Sequence, residues 1–78
     1  MMFKPKEKTV DVSGQTVTLR EMSAEDMLSM EEDSDMAVVV AYCIEGTTAE
    51  QVRKWPMSVV RELYDHAVDV CGLDAGNG

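Results

Sequence analysis

Basic residues are missing from the middle of the N-terminal half. From Glu21 to Asp35 the chain has seven acids and neither lysine nor arginine. Residues 1 to 20 carry Lys4, Lys6, Lys8 and Arg20 against Glu7 and Asp11, and the part from Met36 onward has six acids against three bases. The total, fifteen acids to seven bases, is a formal net charge of -8. Such a field repels a phosphate backbone, so no nucleic-acid partner is expected. Cysteine is scarce as well. Cys43 and Cys71 stand far apart with no CxxC spacing, which excludes a disulfide framework and a zinc cluster. A single Cys43–Cys71 bridge stays geometrically open, but a reducing, cytoplasmic setting with two core thiols is the expectation. Long apolar runs are absent too. The longest, MAVVVAYCI (Met36 to Ile44), is nine residues, about half a membrane span, so no membrane association is expected. MMFKPKEK has no continuous apolar run after Lys4 and is not expected to act as a signal peptide.

Seventy-eight residues suffice for one domain. A chain this short buries roughly 60% of its unfolded surface, which leaves little surplus stability and makes self-association a reasonable expectation. The expected organisation is a flexible segment over 1–8, one domain over 9–73 and a flexible tail over 74–78. No internal repeat or long linker interrupts it.

Within the domain, TVDVSGQTVTLR (residues 9 to 20) alternates apolar and polar residues on both sides of Ser13-Gly14. That pattern predicts a β-hairpin whose Val10, Val12, Val17 and Leu19 share one face. An isolated hairpin is marginal in water, so helices must cover that face. Ser23 is placed to cap a first helix running to about Glu32, with Ala24, Met27, Leu28 and Met30 along one side. Asp33 or Ser34 can cap a second helix, Asp35 to Glu45, which is apolar nearly all round and therefore expected innermost. VVVAYCI also has the composition of a buried strand, but the SDMA start and the Gly46 stop favour helix. Thr47 and Glu50 offer a capping box for a short third helix ending at Lys54. Pro56 turns the chain. Val60, Leu63, Tyr64, Ala67, Val68 and Cys71 then follow the spacing of a closing amphipathic helix, with Gly72 at its end and Leu73 behind it. The fold class is α+β: an N-terminal β-hairpin packed on a bundle of three to four short helices.

Chemistry for catalysis is not apparent. His66, the one histidine, has Glu62 at i−4 and Asp69 at i+3, the ordinary surroundings of a surface histidine on an acidic helix. Both cysteines fall near helix C-termini, where the dipole opposes a thiolate. No start position in the acidic run satisfies an EF-hand loop. Arg53, Lys54 and Arg61 make a basic group too small to offset the domain's charge. No catalytic residue, metal ligand or cofactor is therefore assigned. The candidates for protein contact are Met22, Met27, Met30 and Trp55. Methionine's unbranched, polarizable chain adapts to irregular partner surfaces, and the acids around it keep such a surface soluble while steering basic partners. Trp55 suits either an interface anchor or the cap of a small core.

VTLREMSAEDMLSMEE (residues 17 to 32) and VRKWPMSVVRELYDHAVDVCGL (residues 52 to 73) carry a resemblance. Together with the order of elements, they resemble the small tail assembly chaperones of tailed bacteriophages and prophages. A short β segment runs into a helix introduced by REMSAED, an apolar helix follows, and a last helix closes at Gly72-Leu73. The resemblance implies a non-enzymatic protein, cytoplasmic during infection and absent from the finished particle. Such a protein binds the tape measure protein, and in some systems the tail tube subunit, and keeps them competent for assembly. Some members exist in two lengths through ribosomal frameshifting. The resemblance transfers no binding residue to a numbered position here. A small acidic adaptor or regulator unrelated to phage tails is the alternative, with a DNA-binding regulator behind it.

Overall fold

The computed structural model describes residues 2–31 and 34–72. Its elements are β1 (Glu7–Val12), β2 (Gln15–Arg20), α1 (Ala24–Ser29), α2 (Met36–Cys43), α3 (Ala49–Val52) and α4 (Met57–Cys71). This is the expected α+β fold, a hairpin against short helices. β1 begins at Glu7, two residues ahead of the expected boundary at Thr9. Leu73 and the tail over 74–78 lie outside the described residues.

β1 and β2 pair antiparallel, with Val10 opposite Val17 and Val12 opposite Gln15. The alternation sends Val12 and Leu19 into the core and leaves Val10 and Val17 half-buried beside them. The other face is a polar ladder. Thr9 and Thr18 share a hydroxyl contact of 3.2 Å, Thr16 donates to Asp11 at 2.9 Å, and Arg20 lies 3.5 Å from Glu7. Lys8 belongs to the inner face by parity. Its side chain is half-buried and its ammonium reaches Asp69 of α4 at 2.9 Å.

The two-residue turn puts Ser13 at φ 52° and Gly14 at φ 81°. Two positive φ values in succession give the primed turn that matches strand twist. Glycine accepts this freely, whereas serine does not. Asparagine tolerates the left-handed region far better, so Ser13→Asn is expected to stabilise the hairpin by about 0.5 kcal/mol, a rise of roughly 2–4 °C in Tm. An unchanged or lower Tm in a differential scanning measurement would show that the turn stores no such strain.

α4 holds the central place in the packing. It lies against both strands on one side and α2 on the other, while α3 packs on α2. The expectation that α2 alone is innermost is thus refined: its Ala37, Val39, Val40 and Cys43 are buried, but α4 joins the two halves of the core. The buried seam of α4 is Val60, Leu63, Ala67 and Val70. Tyr64, Val68 and Cys71, expected on that seam, flank it half-buried, and Val70 was not among the expected positions. Gly72 takes the left-handed conformation at φ 68° and its N–H returns to the Val68 and Asp69 carbonyls, closing the helix as expected.

Two caps differ from expectation by one or two residues. α2 is capped by Asp35, not Ser34, because Asp35 accepts from the Val38 N–H at 3.2 Å while the Ser34 N–H turns back to Glu31. Asp33 lies outside the described residues. The capping box of α3 is Thr48 with Gln51. Both Thr47 and Thr48 fit the pattern, but the Thr47 N–H is taken by the Ile44 carbonyl in the turn after α2.

Candidate functional site

α1 is built to present its surface, not to bury it. Ser23 caps it by accepting from the Asp26 N–H at 3.1 Å, and Glu25 and Asp26 sit in the first turn, where the helix dipole favours them. It ends at Ser29 instead of continuing towards Glu32. Acids at a helix C-terminus oppose the dipole, and Met30 is already extended. α1 has no fully buried residue. Met27 and Met30 are half-buried against the core. Leu28, expected to pack beside them, points outward at 85% exposure. The outcome is an isolated leucine on a short helix flanked by Glu25, Asp26 and Glu31.

Met22 does not belong to this surface. At 7% exposure it is a core residue, and its N–H donates to Cys71 Sγ at 3.5 Å. The chain arrives there firmly held, since Glu21 and Lys6 exchange two hydrogen bonds: Glu21 N–H to the Lys6 carbonyl and Lys6 N–H to Glu21 Oε1. Met22 therefore serves as the anchor from which α1 departs.

Trp55 lies elsewhere. It is half-buried just before α4, bordering an apolar groove of about 330 Å³ with Val12, Val17, Val59 and Leu63. Met22 meets the last residue of α4 and Trp55 precedes its first, so a fifteen-residue helix, roughly 22 Å long, separates the two. The four contact candidates are not one patch. Met27 and Met30 stay near the exposed Leu28, Trp55 lines a separate groove, and Met22 is interior. Leu28 was missed because its spacing with Ala24 and Met27 fits a buried stripe. Only the short length of α1, which limits how much of the stripe can reach the core, distinguishes the two outcomes.

A larger, open depression of about 700 Å³ lies between Phe3–Pro5, the first turn of α1 and the end of α2. One of its charges, Arg20, is held in ion pairs. Arg20 pairs with Glu7 at 3.5 Å and with Glu45 at 3.2 Å. Of the two acid neighbours of His66, Asp69 is engaged elsewhere: Lys8 bonds it and, by that bond and its charge, holds its carboxyl below its ordinary pKa. Among the described residues no group of three histidine, cysteine or acid side chains is placed to hold a metal ion.

The small basic group is likewise divided. Arg53 reaches Asp35 at 3.2 Å and 3.4 Å, tying α3 to the cap of α2. The Val38 N–H and, after it, Arg53 lower the Asp35 pKa. Only Lys54 and Arg61 of that group are left without such a pair among the described residues. No helix among the described residues is long and apolar enough to cross a membrane.

The fold and this surface define a small α+β domain with an acidic, outward-facing helix. Comparisons with protein-family models, with curated proteins and with solved structures found no match.

Proposed function

We propose that the chain is a non-enzymatic assembly chaperone that holds an aggregation-prone protein partner, and that α1 is where the partner docks. The observation that carries this reading is Leu28, 85% exposed on a helix with Glu25 and Asp26 in its first turn and Glu31 just beyond it. An apolar side chain inside an uncompensated acidic field suits a partner whose segments are apolar and basic. The leucine and the flexible Met27 and Met30 supply adaptable contact area, and the acids raise the encounter rate and keep the complex soluble. The resemblance of residues 17 to 32 and 52 to 73 to the tail assembly chaperones makes the tape measure protein, or the tail tube subunit, the partner of choice. Self-association would multiply weak contacts along such an extended partner by raising effective concentration. A small acidic adaptor unrelated to tails is the second reading, favoured by the same surface without the resemblance.

The test is co-expression with a phage tape measure protein. Wild type is expected to raise its soluble yield several-fold and to co-purify with it. Leu28→Ser removes the exposed apolar group while costing no burial, so its Tm should stay within a degree or two of wild type. The same variant should lose most of the captured partner. If wild type neither binds nor solubilises the long protein, the chaperone reading fails. If Leu28→Ser, and with it a folded Met27→Ser, Met30→Ser variant, captures as well as wild type, the docking surface lies elsewhere.

A further inference from the structure

Cys43 is the last residue of α2 and Cys71 the last of α4, the two helices that form the middle of the core. Both are free thiols. Their Sγ atoms lie 3.6 Å apart, although the residues are 28 positions apart in sequence. Cys43 is buried and Cys71 half-buried, so one member of the pair is open to solvent and the other stands directly behind it. A disulfide needs the sulfurs about 1.5 Å closer than 3.6 Å, a movement within the reach of small side-chain rotations at two helix ends.

We propose that Cys43 and Cys71 form a redox-sensitive clamp, in which a low-molecular-weight disulfide such as oxidised glutathione converts the thiol pair to an intramolecular disulfide joining the ends of α2 and α4. Cys71 reacts first because it is the accessible sulfur. Its thiolate attacks one sulfur of the oxidant, forming a mixed disulfide and releasing one reduced glutathione. Cys43 then attacks Cys71 Sγ, and its proton is taken up by the second glutathione thiolate as that leaves. Two protein thiols are oxidised by two electrons and the reagent is reduced to two thiols. Burial, reinforced by the neighbouring Cys71, pushes the Cys43 thiol up to about 12, which makes the second step the slow one. In a reducing compartment the pair rests as two core thiols. The clamp also touches the segment that carries α1. The Met22 N–H donates to the same Cys71 sulfur, so moving that sulfur towards Cys43 alters the anchor from which α1 departs.

The experiment is to incubate the purified chain with oxidised glutathione, quench with iodoacetamide, and measure intact mass and melting. The expected product is a monomer that has lost two hydrogens, carries no alkylated thiol and melts roughly 10–20 °C higher, all reversed by dithiothreitol. Cys71→Ser should show neither the mass change nor the rise. Cys43→Ala, which leaves no buried hydroxyl, should instead stop at a stable glutathione adduct on Cys71. Wild type that keeps two alkylatable thiols, accumulates the glutathione adduct, forms covalent dimers, or closes the bond without a higher Tm would overturn the proposal. The wild-type measurement decides the matter even if either variant folds poorly.

Discussion

Val40→Asp is expected to leave the chain unfolded at 25 °C. Val40 is fully buried on α2, the helix that α4 and α3 both cover. An ionised carboxylate there has no partner, and an unpaired buried charge costs several kcal/mol. Protonation offers no escape at neutral pH. Keeping a carboxyl neutral at pH 7 costs about 4 kcal/mol relative to its ordinary ionisation. A domain of this length has on the order of 4–12 kcal/mol of stability, and a small one lies towards the lower end. Circular dichroism should therefore show no cooperative transition for the variant. A cooperative melt within a degree or two of wild type would mean that Val40 is not in the core.

Leu63→Ala is expected to have the next largest effect. Leu63 is nearly inaccessible and sits on α4, between the hairpin and α2, where it also borders the groove at Trp55. Removing its three outer carbons forfeits their transfer energy and leaves a cavity, a loss of about 2–5 kcal/mol. For a domain of this size that lowers Tm by at least 10 °C or so. Leu63→Met keeps the volume and should cost less than about 1.5 kcal/mol. Because Trp55 lines the same groove, the alanine variant should also shift the emission of Trp55, the single tryptophan. Loss of stability from both variants alike, or from neither, would contradict the central packing of α4.

The fold was legible wherever local chemistry and periodicity agreed. The alternation on either side of Ser13-Gly14, the Ser23 cap and the glycine after Cys71 each identify an element and one of its boundaries. The helical state of residues 36 to 43 was legible despite three successive valines, because the acidic cap and the later glycine outweigh strand propensity. Ambiguity remained where two neighbours satisfied one rule. Thr47 and Thr48 are both competent caps, and the choice was made by the turn after α2, where the Thr47 amide bonds the Ile44 carbonyl. The contact surface was least legible, because a methionine or leucine at helical spacing reads the same whether it faces core or solvent. Met22 went inward because Glu21 and Lys6 fix the chain beside α4, and Leu28 went outward because α1 is too short to turn its whole stripe to the core. Neither outcome has a local signal. The meeting of Cys43 and Cys71 likewise depends on two helix ends arriving together, which sequence separation conceals.

We propose α1 as the contact face of a domain that holds a protein partner. Amide hydrogen exchange on the purified chain, alone and with the co-expressed tape measure protein, tests it most directly. The amides of Ala24 to Glu31 should exchange fast in the free chain, because α1 has no fully buried residue, and slow by at least tenfold in the complex. α3 and the outer hairpin face should change little. Protection confined to the Trp55 groove, or no protection anywhere at a partner concentration that saturates binding, would contradict it.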